Sequence, residues 1–228
     1  MMVVSGYFGA KATGVHPAPL DQNCFFFSNN PALERAAARN GWTFVCKSGM
    51  PLSSEPRISS LQSKYVKFLQ FDAAKLGVAA DSGILYFDHK LNVTSRHVKY
   101  MAEACATDLL IRNTPRLKLT IQAEIDAGLR QKRYRETMVE TVNWVNHCIS
   151  TEGYRMNNRI MNTGLIYYRT VEKVRSLCNG VFNKCWDLGQ PECQIIWAVL
   201  SQRYEHLITR IEWDALNPAK LEPAVEWS

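Results

Sequence analysis

The stretch Ile84-Leu85-Tyr86-Phe87-Asp88-His89-Lys90-Leu91-Asn92-Val93 decides the fold class of this chain. Its four leading apolar residues predict a short buried strand, and the aspartate after them predicts a carboxylate at the strand's C-terminal end. Open α/β sheets bind metal ions and phosphates at that edge. A carboxylate there can hold a divalent ion, which in turn can bridge a diphosphate. The alternative is that Asp88 only caps a turn after the strand.

The composition is that of a globular protein with a sizeable core. The chain has 228 residues, 46% of them hydrophobic, which is enough for a single large α/β domain. No apolar run approaches the roughly 20 residues that span a membrane, and the N-terminal strand lacks the basic flank and cleavage site of a signal peptide. The seven cysteines form no Cys-x-x-Cys pair. Their odd number and scatter argue against a disulfide framework and a zinc knuckle, and predict a reducing, cytoplasmic compartment.

The net charge of +6 fits a protein that handles phosphate groups, whether on a nucleotide, a lipid or a nucleic acid. The densest basic cluster, residues 130–135, is more often a solvated helix face than a phosphate site. The charge therefore favours a phosphate-bearing partner without deciding its class.

Strands and helices alternate along the first half of the sequence. Strands are predicted at 2–7, 24–28 and 42–47 with a helix at 32–39, an order typical of a parallel sheet. Helical spacing over 59–75 precedes the strand that ends at Asp88. The second half is predicted to be more helical, with helices at 96–106, 119–129, 132–148, 171–188 and 192–204, one strand at 159–169 and an irregular tail at 213–228.

A series of short motifs follows this layout in a recognisable order. They are Tyr7-Phe8-Gly9, Cys24-Phe25 with Ser28-Asn29-Asn30, Gly41-Trp42, Glu55-Pro56-Arg57, Lys64-Tyr65-Val66-Lys67, Asp88-His89-Lys90, Thr163-Gly164-Leu165-Ile166 and Glu192-Cys193-Gln194-Ile195. Together they resemble the GT-A glycosyltransferases, and within these the mucilage-type glycosyltransferase-like domains of plants and microbes. The resemblance covers about residues 3–200. It departs from the family at His89, where a small residue is usual, and at Cys193, where an acid is usual.

The resemblance implies a GT-A fold, a Rossmann-like three-layer α/β sandwich in one domain. It implies a hexosyl- or pentosyltransferase that takes a sugar from a nucleoside-diphosphate sugar, with UDP the favoured carrier, to an acceptor glycan or other hydroxyl. Residues 1–95 would form the donor half, residues 96–212 the acceptor and catalytic half, and residues 213–228 the tail.

The resemblance also implies roles for particular residues. The expected donor-binding residues are Tyr7, Phe8, Gly9, Asn29, Arg57, Lys64, Lys67, Lys90, Asn162, Thr163 and Gly164. The expected catalytic residues are Asp88, Glu192 and Gln194. A divalent cation, Mn²⁺ or Mg²⁺, is expected on Asp88 with help from His206.

Two arrangements of charge remain open, because Lys90 stands where an Asp-x-Asp motif has its second acid. Asp88 can hold a metal ion with a histidine, His89 or His206. Alternatively, Lys90, Lys67 and Arg57 neutralise the diphosphate directly, and Asp88 binds the ribose or the sugar. The family resemblance favours the metal.

Several of these residues also have ordinary structural explanations. Tyr7 and Phe8 can be core residues, Lys64 and Lys67 can be solvated, and Glu192 can be a helix cap. Two other functions stay open as well. One is a glycosyltransferase that acts on modified bases of DNA, and the other is a sugar- or partner-binding module without catalysis.

Overall fold

A single mixed sheet forms the centre of the molecule, and helices cover both of its faces. The computed structural model describes residues 1–11, 13–77, 79, 83–114 and 120–216. Within them, seven strands pair in the order β3-β2-β1-β4-β6-β5-β7. The strands are β1 (Met2–Tyr7), β2 (Cys24–Ser28), β3 (Thr43–Cys46), β4 (Ile84–Phe87), β5 (Leu109–Asn113), β6 (Met161–Tyr168) and β7 (Ile208–Ile211).

The sheet is mixed because β6 runs antiparallel to both of its neighbours, β4 and β5. The other pairs, β1 with β2 and β4, β2 with β3, and β5 with β7, are parallel. The parallel sheet predicted from the first half of the sequence is therefore confirmed for β1 to β4, and extends in a mixed form through the second half. Strands β5 and β7 were not predicted.

The helices agree with the predicted positions but not with every predicted end. They are α1 (Glu34–Arg39), α2 (Pro56–Lys67), α3 (Ser95–Ala104), α4 (Ile121–Leu129), α5 (Lys132–Arg135), α6 (Met138–Glu152), α7 (Glu172–Asp187) and α8 (Cys193–Leu200). The helix predicted over 59–75 stops at Lys67, because the backbone turns left-handed at Leu69 (φ +54°). The helix predicted over 132–148 is divided into α5 and α6. Of the predicted irregular tail, residues 213–216 form a short 3-10 turn and residues 217–228 lie outside the described residues.

Strand alternation divides the core into two layers, one on each face of the sheet. Val4 and Tyr86 face the layer covered by α2, α7 and α8. Val3 and Leu85 face the layer covered by α1 and α3. A further apolar cluster packs α4 and α6 against the outer side of α8. The predicted three-layer α/β sandwich is thus confirmed, and no helix within the described residues is long and apolar enough to cross a membrane.

Candidate active site

The edge of the sheet where β1 to β4 end carries a cavity of about 460 Å³. Because β6 is antiparallel to β4, the beginning of β6 lies at this same edge, and the Asp88 N–H donates to the Gly164 carbonyl at 2.8 Å. The last turn of α2 and the first residues of α8 complete the walls. Most of the predicted site residues line the cavity: Tyr7, Phe8, Lys64, Lys67, Asp88, Lys90, Asn162, Thr163, Gly164, Glu192 and Gln194.

Asp88 lies at the floor of the cavity and is paired there with a lysine. The Lys67 ammonium is 3.1 Å from Asp88 Oδ1, and the Tyr86 hydroxyl donates to the same oxygen. The Lys67 side chain is 6% exposed, whereas that of Asp88 is 43% exposed because it faces the open cavity. Asp88 is therefore half of an ion pair whose cation is buried, and is more than a cap of the turn.

Burial and charge act in opposite directions on this pair. Burial alone raises the pKa of the Asp88 carboxyl, but Lys67, the Tyr86 hydroxyl and Lys64 outweigh it and hold the pKa below its usual range. Burial lowers the pKa of Lys67, but the Asp88 carboxylate outweighs that effect and the pKa is raised. Both members of the pair are therefore ionised at neutral pH.

The two lysines of α2 are buried rather than solvated. Lys64 and Lys67 are each 5% exposed and lie in the last turn of the helix, where the helix dipole favours positive charge. The Tyr168 hydroxyl of β6 donates to the Lys67 carbonyl at 2.7 Å. This bond ties the end of α2, where Lys67 lies, to the sheet.

Positive charge prevails around the cavity. Among the described lining residues, the cations are Lys11, Lys64, Lys67, Lys90 and Arg133, and the acids are Asp88 and Glu192. This is an excess of three positive charges. Burial and the nearby Arg133 lower the pKa of Lys90. A cavity with such an excess attracts polyanions and concentrates them.

His89 and Tyr7 form an aromatic pair at one wall, with ring centroids 4.9 Å apart in an edge-on arrangement. Burial lowers the pKa of His89 to about 4, although the Asp88 carboxylate opposes this. The imidazole is therefore neutral at physiological pH and adds no charge to the cavity. Phe8, next to Tyr7, is 2% exposed and belongs to the core as well as to the cavity wall.

Glu192 serves both as a helix cap and as a wall of the cavity. Its carboxylate accepts the Gln194 N–H at 3.0 Å, and its own N–H donates to Gln190 Oε1 at 2.9 Å. Burial and a hydrogen bond to Glu192 raise the pKa of the Tyr134 hydroxyl. The Gln194 N–H thus holds the carboxylate at the start of α8, and the Tyr134 hydroxyl lies near it. Cys193 lies next in sequence, its sulfur 3.4 Å from the Thr163 hydroxyl.

The start of β6 leaves room for the Asp88 carboxylate because residue 164 is a glycine. A Cβ there would lie 3.0 Å from Asp88 Oδ2 and 3.0 Å from Asn162 Oδ1. The Gly164 N–H donates to Asn162 Oδ1 at 3.0 Å. Close approach of a carboxylate to the backbone thus accounts for the glycine.

Four predicted site residues do not line the cavity. Arg57 pairs with Glu55 at 3.2 Å and with Glu136 at 3.8 Å. The Asn29 side chain holds loops together, accepting the Gly9 N–H at 3.0 Å and donating to the Pro51 carbonyl at 2.9 Å. Gly9 lies beyond the cavity wall. His206 is exposed, in the 3-10 segment Ser201–Leu207 that precedes β7.

The structure adds lining residues that sequence reasoning did not select. They include Lys11, Tyr86, Cys193, Arg133, Tyr134 and five serines on and before α2 (Ser53, Ser54, Ser59, Ser60 and Ser63). Ser60 lies four residues before Lys64 and seven before Lys67, so helical spacing alone would place it on the same side of α2 as the two lysines. Arg133 belongs to the basic cluster that we considered a solvated face. No local sequence pattern predicts that Tyr134 lines the cavity, because its position depends on how α5 packs.

The residues around Asp88 do not fit a metal ion. Asp88 Oδ1 already accepts the Lys67 ammonium and the Tyr86 hydroxyl, and the second acid of an Asp-x-Asp motif is replaced by Lys90. His206, the second predicted ligand, does not line the cavity. Nowhere in the described part of the chain do three histidine, cysteine, aspartate or glutamate side chains come together as a metal site would require.

The chain has structural neighbours of low sequence identity. Mouse xyloside xylosyltransferase 1 is 11% identical over 92% of this chain and 84% of its own, with a TM-score of 0.49. The galactosyltransferase LgtC, solved with donor and acceptor sugar analogues, is 15% identical over 92% and 73%, with a TM-score of 0.45. CMP:2-keto-3-deoxy-manno-octonic acid synthetase, complexed with CTP, is 10% identical over 92% and 88%, with a TM-score of 0.41. Similarity at this level identifies no activity.

No protein-family model matches the sequence, and no curated protein matches it significantly. The resemblance to the mucilage-type domains is therefore not confirmed.

Proposed function

We propose that this protein is a GT-A-type glycosyltransferase that takes a sugar from a nucleoside-diphosphate sugar. The observation that carries the proposal is the cavity at the carboxyl ends of β1 and β4, lined by Asp88 and by two buried lysines in the last turn of α2. Ligands of open α/β sheets bind outside this edge. An excess of three positive charges suits a diphosphate, which carries negative charge at neutral pH.

The proposed donor lies along the cavity from β1 to α8. Its diphosphate contacts Lys64, Lys67 and Lys90, and its base lies against the aromatic wall of Tyr7. The sugar then reaches the polar groups at the other end, which are Asn162, Glu192 and Gln194. In this arrangement the Asp88 carboxylate serves mainly to hold the Lys67 ammonium, and its second oxygen faces the sugar or ribose.

The proposed reaction exchanges one bond for another at the anomeric carbon. The acceptor hydroxyl oxygen forms a bond to that carbon, while the bond from the carbon to the diphosphate oxygen breaks. The electron pair of the broken bond stays on the diphosphate, where Lys64 and Lys67 stabilise the developing charge. The proton of the acceptor hydroxyl passes to a base, for which the Glu192 carboxylate is the proposed group if the reaction inverts configuration.

UDP as the carrier, a hexosyl or pentosyl group, a glycan acceptor and a cytoplasmic location stay predictions. All seven cysteines are free thiols, an arrangement in keeping with a reducing compartment.

Titration calorimetry with UDP, GDP, ADP and CDP tests the proposal. At least one nucleoside diphosphate should bind, and Lys64→Met should weaken it about tenfold or more, because a charge-assisted contact to phosphate is lost. Lys99→Met is the matched control, since Lys99 lies on α3 with its side chain 76% exposed. Failure of all four nucleotides to bind, with and without Mn²⁺, would remove the proposed function. Binding without transfer from any nucleotide-sugar would leave a sugar-binding module.

A further inference from the structure

Resting on the proposed function, we propose that the protein binds the diphosphate of its donor without a divalent cation. The Lys67 ammonium, held by Asp88, occupies the place between carboxylate and diphosphate that a bridging ion would take. Lys64 supplies the second positive charge. This assigns Asp88 a positioning role, because it acts on the donor through Lys67.

One oxygen of the Asp88 carboxylate already has two hydrogen-bond partners. A bridging ion needs a carboxylate oxygen directed at the diphosphate. Asp88 Oδ1 is 3.1 Å from the Lys67 ammonium and also accepts the Tyr86 hydroxyl. An ion on this oxygen would have to displace Lys67, which is buried at the end of α2.

The charge in the cavity around Asp88 is mostly positive. Lys64 lies close enough to Asp88 to lower the pKa of its carboxyl, and Lys90 follows two residues later in sequence. A divalent cation in this cavity would therefore share it with three ammonium groups, those of Lys64, Lys67 and Lys90, and two carboxylates, those of Asp88 and Glu192. Coulomb repulsion disfavours the ion there, whereas the same groups attract a diphosphate.

The Lys67 ammonium group is held in place by its neighbours before any ligand binds. The Tyr168 hydroxyl fixes the Lys67 backbone at 2.7 Å, and Asp88 fixes its ammonium group. Lys67 is also 5.4 Å from the ring centroid of Tyr86, a cation–π distance. Charges held in place before the donor arrives need no reorganisation as negative charge develops on the leaving oxygen. The lysine pair can thus supply electrostatically what a metal ion supplies in an Asp-x-Asp site.

Calorimetric titration of the unmodified protein with the best-binding nucleoside diphosphate, in EDTA and again in Mn²⁺, tests the inference. The dissociation constant should agree within about twofold between the two conditions. Electron paramagnetic resonance gives a second readout. The signal of free Mn²⁺ in an equimolar mixture with the nucleotide should not fall further when the protein is added.

Two variants test whether Lys67 or a divalent ion neutralises the bound diphosphate. Lys67→Met should weaken nucleotide binding about tenfold or more, with no recovery on addition of Mn²⁺, and Lys67→Arg should retain part of the affinity. If Lys67→Met does not fold, the comparison of EDTA with Mn²⁺ in the unmodified protein still shows whether nucleotide binding needs a divalent cation.

The outcomes separate this inference from the proposed function. Binding that disappears in EDTA and returns with Mn²⁺ overturns the inference and leaves the glycosyltransferase proposal intact. The absence of binding in both conditions overturns both.

Discussion

Replacing Asp88 by asparagine should destabilise the protein more than replacing its partner Lys67 by methionine. The reason is the unequal burial of the pair, 43% exposure for the Asp88 side chain and 6% for that of Lys67. Removing the carboxylate leaves an ammonium group buried without a counterion, whereas removing the ammonium leaves a carboxylate that already faces the cavity.

The magnitudes follow from this asymmetry. Losing one partner of a fully buried pair costs about 3–5 kcal/mol. In Asp88→Asn the amide oxygen still accepts one hydrogen bond from Lys67, so we expect a loss of about 2–3 kcal/mol. In Lys67→Met the remaining carboxylate is partly exposed to the cavity and stays near Lys64, so we expect a smaller cost, about 1 kcal/mol.

The dependence of stability on pH gives a second check. In the unmodified protein the pKa of Lys67 is raised above its ordinary value, so its contribution to stability is fully present up to about pH 10 and is lost only above it. In Asp88→Asn burial dominates and the folded pKa falls below the unfolded one. The variant should then recover stability, relative to the unmodified protein, as the pH rises from about 7 to about 10.

Urea unfolding, followed by circular dichroism at several pH values, measures both effects. Equal losses in the two variants, a larger loss in Lys67→Met, or a gap that does not change with pH would refute this account of the pair.

Two further predictions concern the cavity walls. Gly164→Ala places a Cβ 3.0 Å from Asp88 Oδ2, so calorimetry should show nucleotide affinity reduced by about fivefold or more while unfolding free energy changes by less than about 1 kcal/mol. Gly49→Ala, with nothing within 4 Å of its Cβ, should change neither, and equal effects of both variants would contradict the argument. Burial lowers the pKa of His89 to about 4, below its unfolded value of about 6.5, so the folded protein binds fewer protons and stability should fall as the pH drops from about 6.5 to about 4, by at most about 3 kcal/mol. In urea unfolding, this dependence of stability on pH should diminish in His89→Gln and persist in His147→Gln, an exposed control. An unchanged dependence in His89→Gln would assign the acid sensitivity to other groups.

The part of the site that sequence predicted best depends on local pattern. Four apolar residues before Asp88 specify a buried strand, and the carboxylate that follows must lie at its end. Helical spacing predicted the helix that carries Lys64 and Lys67, whereas their place at the site was implied by the family resemblance. The strand and the helix need only strand alternation and helical spacing, which a sequence displays directly.

The parts that could not be predicted depend on contacts between distant segments. Strands β5 and β7 pair with each other, Leu109 with Ile208, across 99 positions of sequence, and no local pattern records such a pairing. Arg57 was expected at the phosphate but pairs with its neighbour Glu55 at 3.2 Å and with Glu136, 79 positions away in sequence, at 3.8 Å. The proposal that Asp88 holds Lys67 instead of a metal ion likewise rests on their three-dimensional pairing, which depends on where α2 ends.

The antiparallel insertion of β6 has a consequence for how the chain acquires its structure during synthesis. Strand β4 is complete at Phe87, but its neighbour on one side, β6, begins only at Met161. A nascent chain that has released β1 to β4 therefore exposes an unpaired strand edge to the ribosome's surroundings, which is an opening for intermolecular pairing and for chaperones. The segment 1–95 produced alone would keep that open edge, and would also lack the wall that carries Gly164. During synthesis, the walls of the cavity formed by β6 and then by the start of α8 are therefore added late.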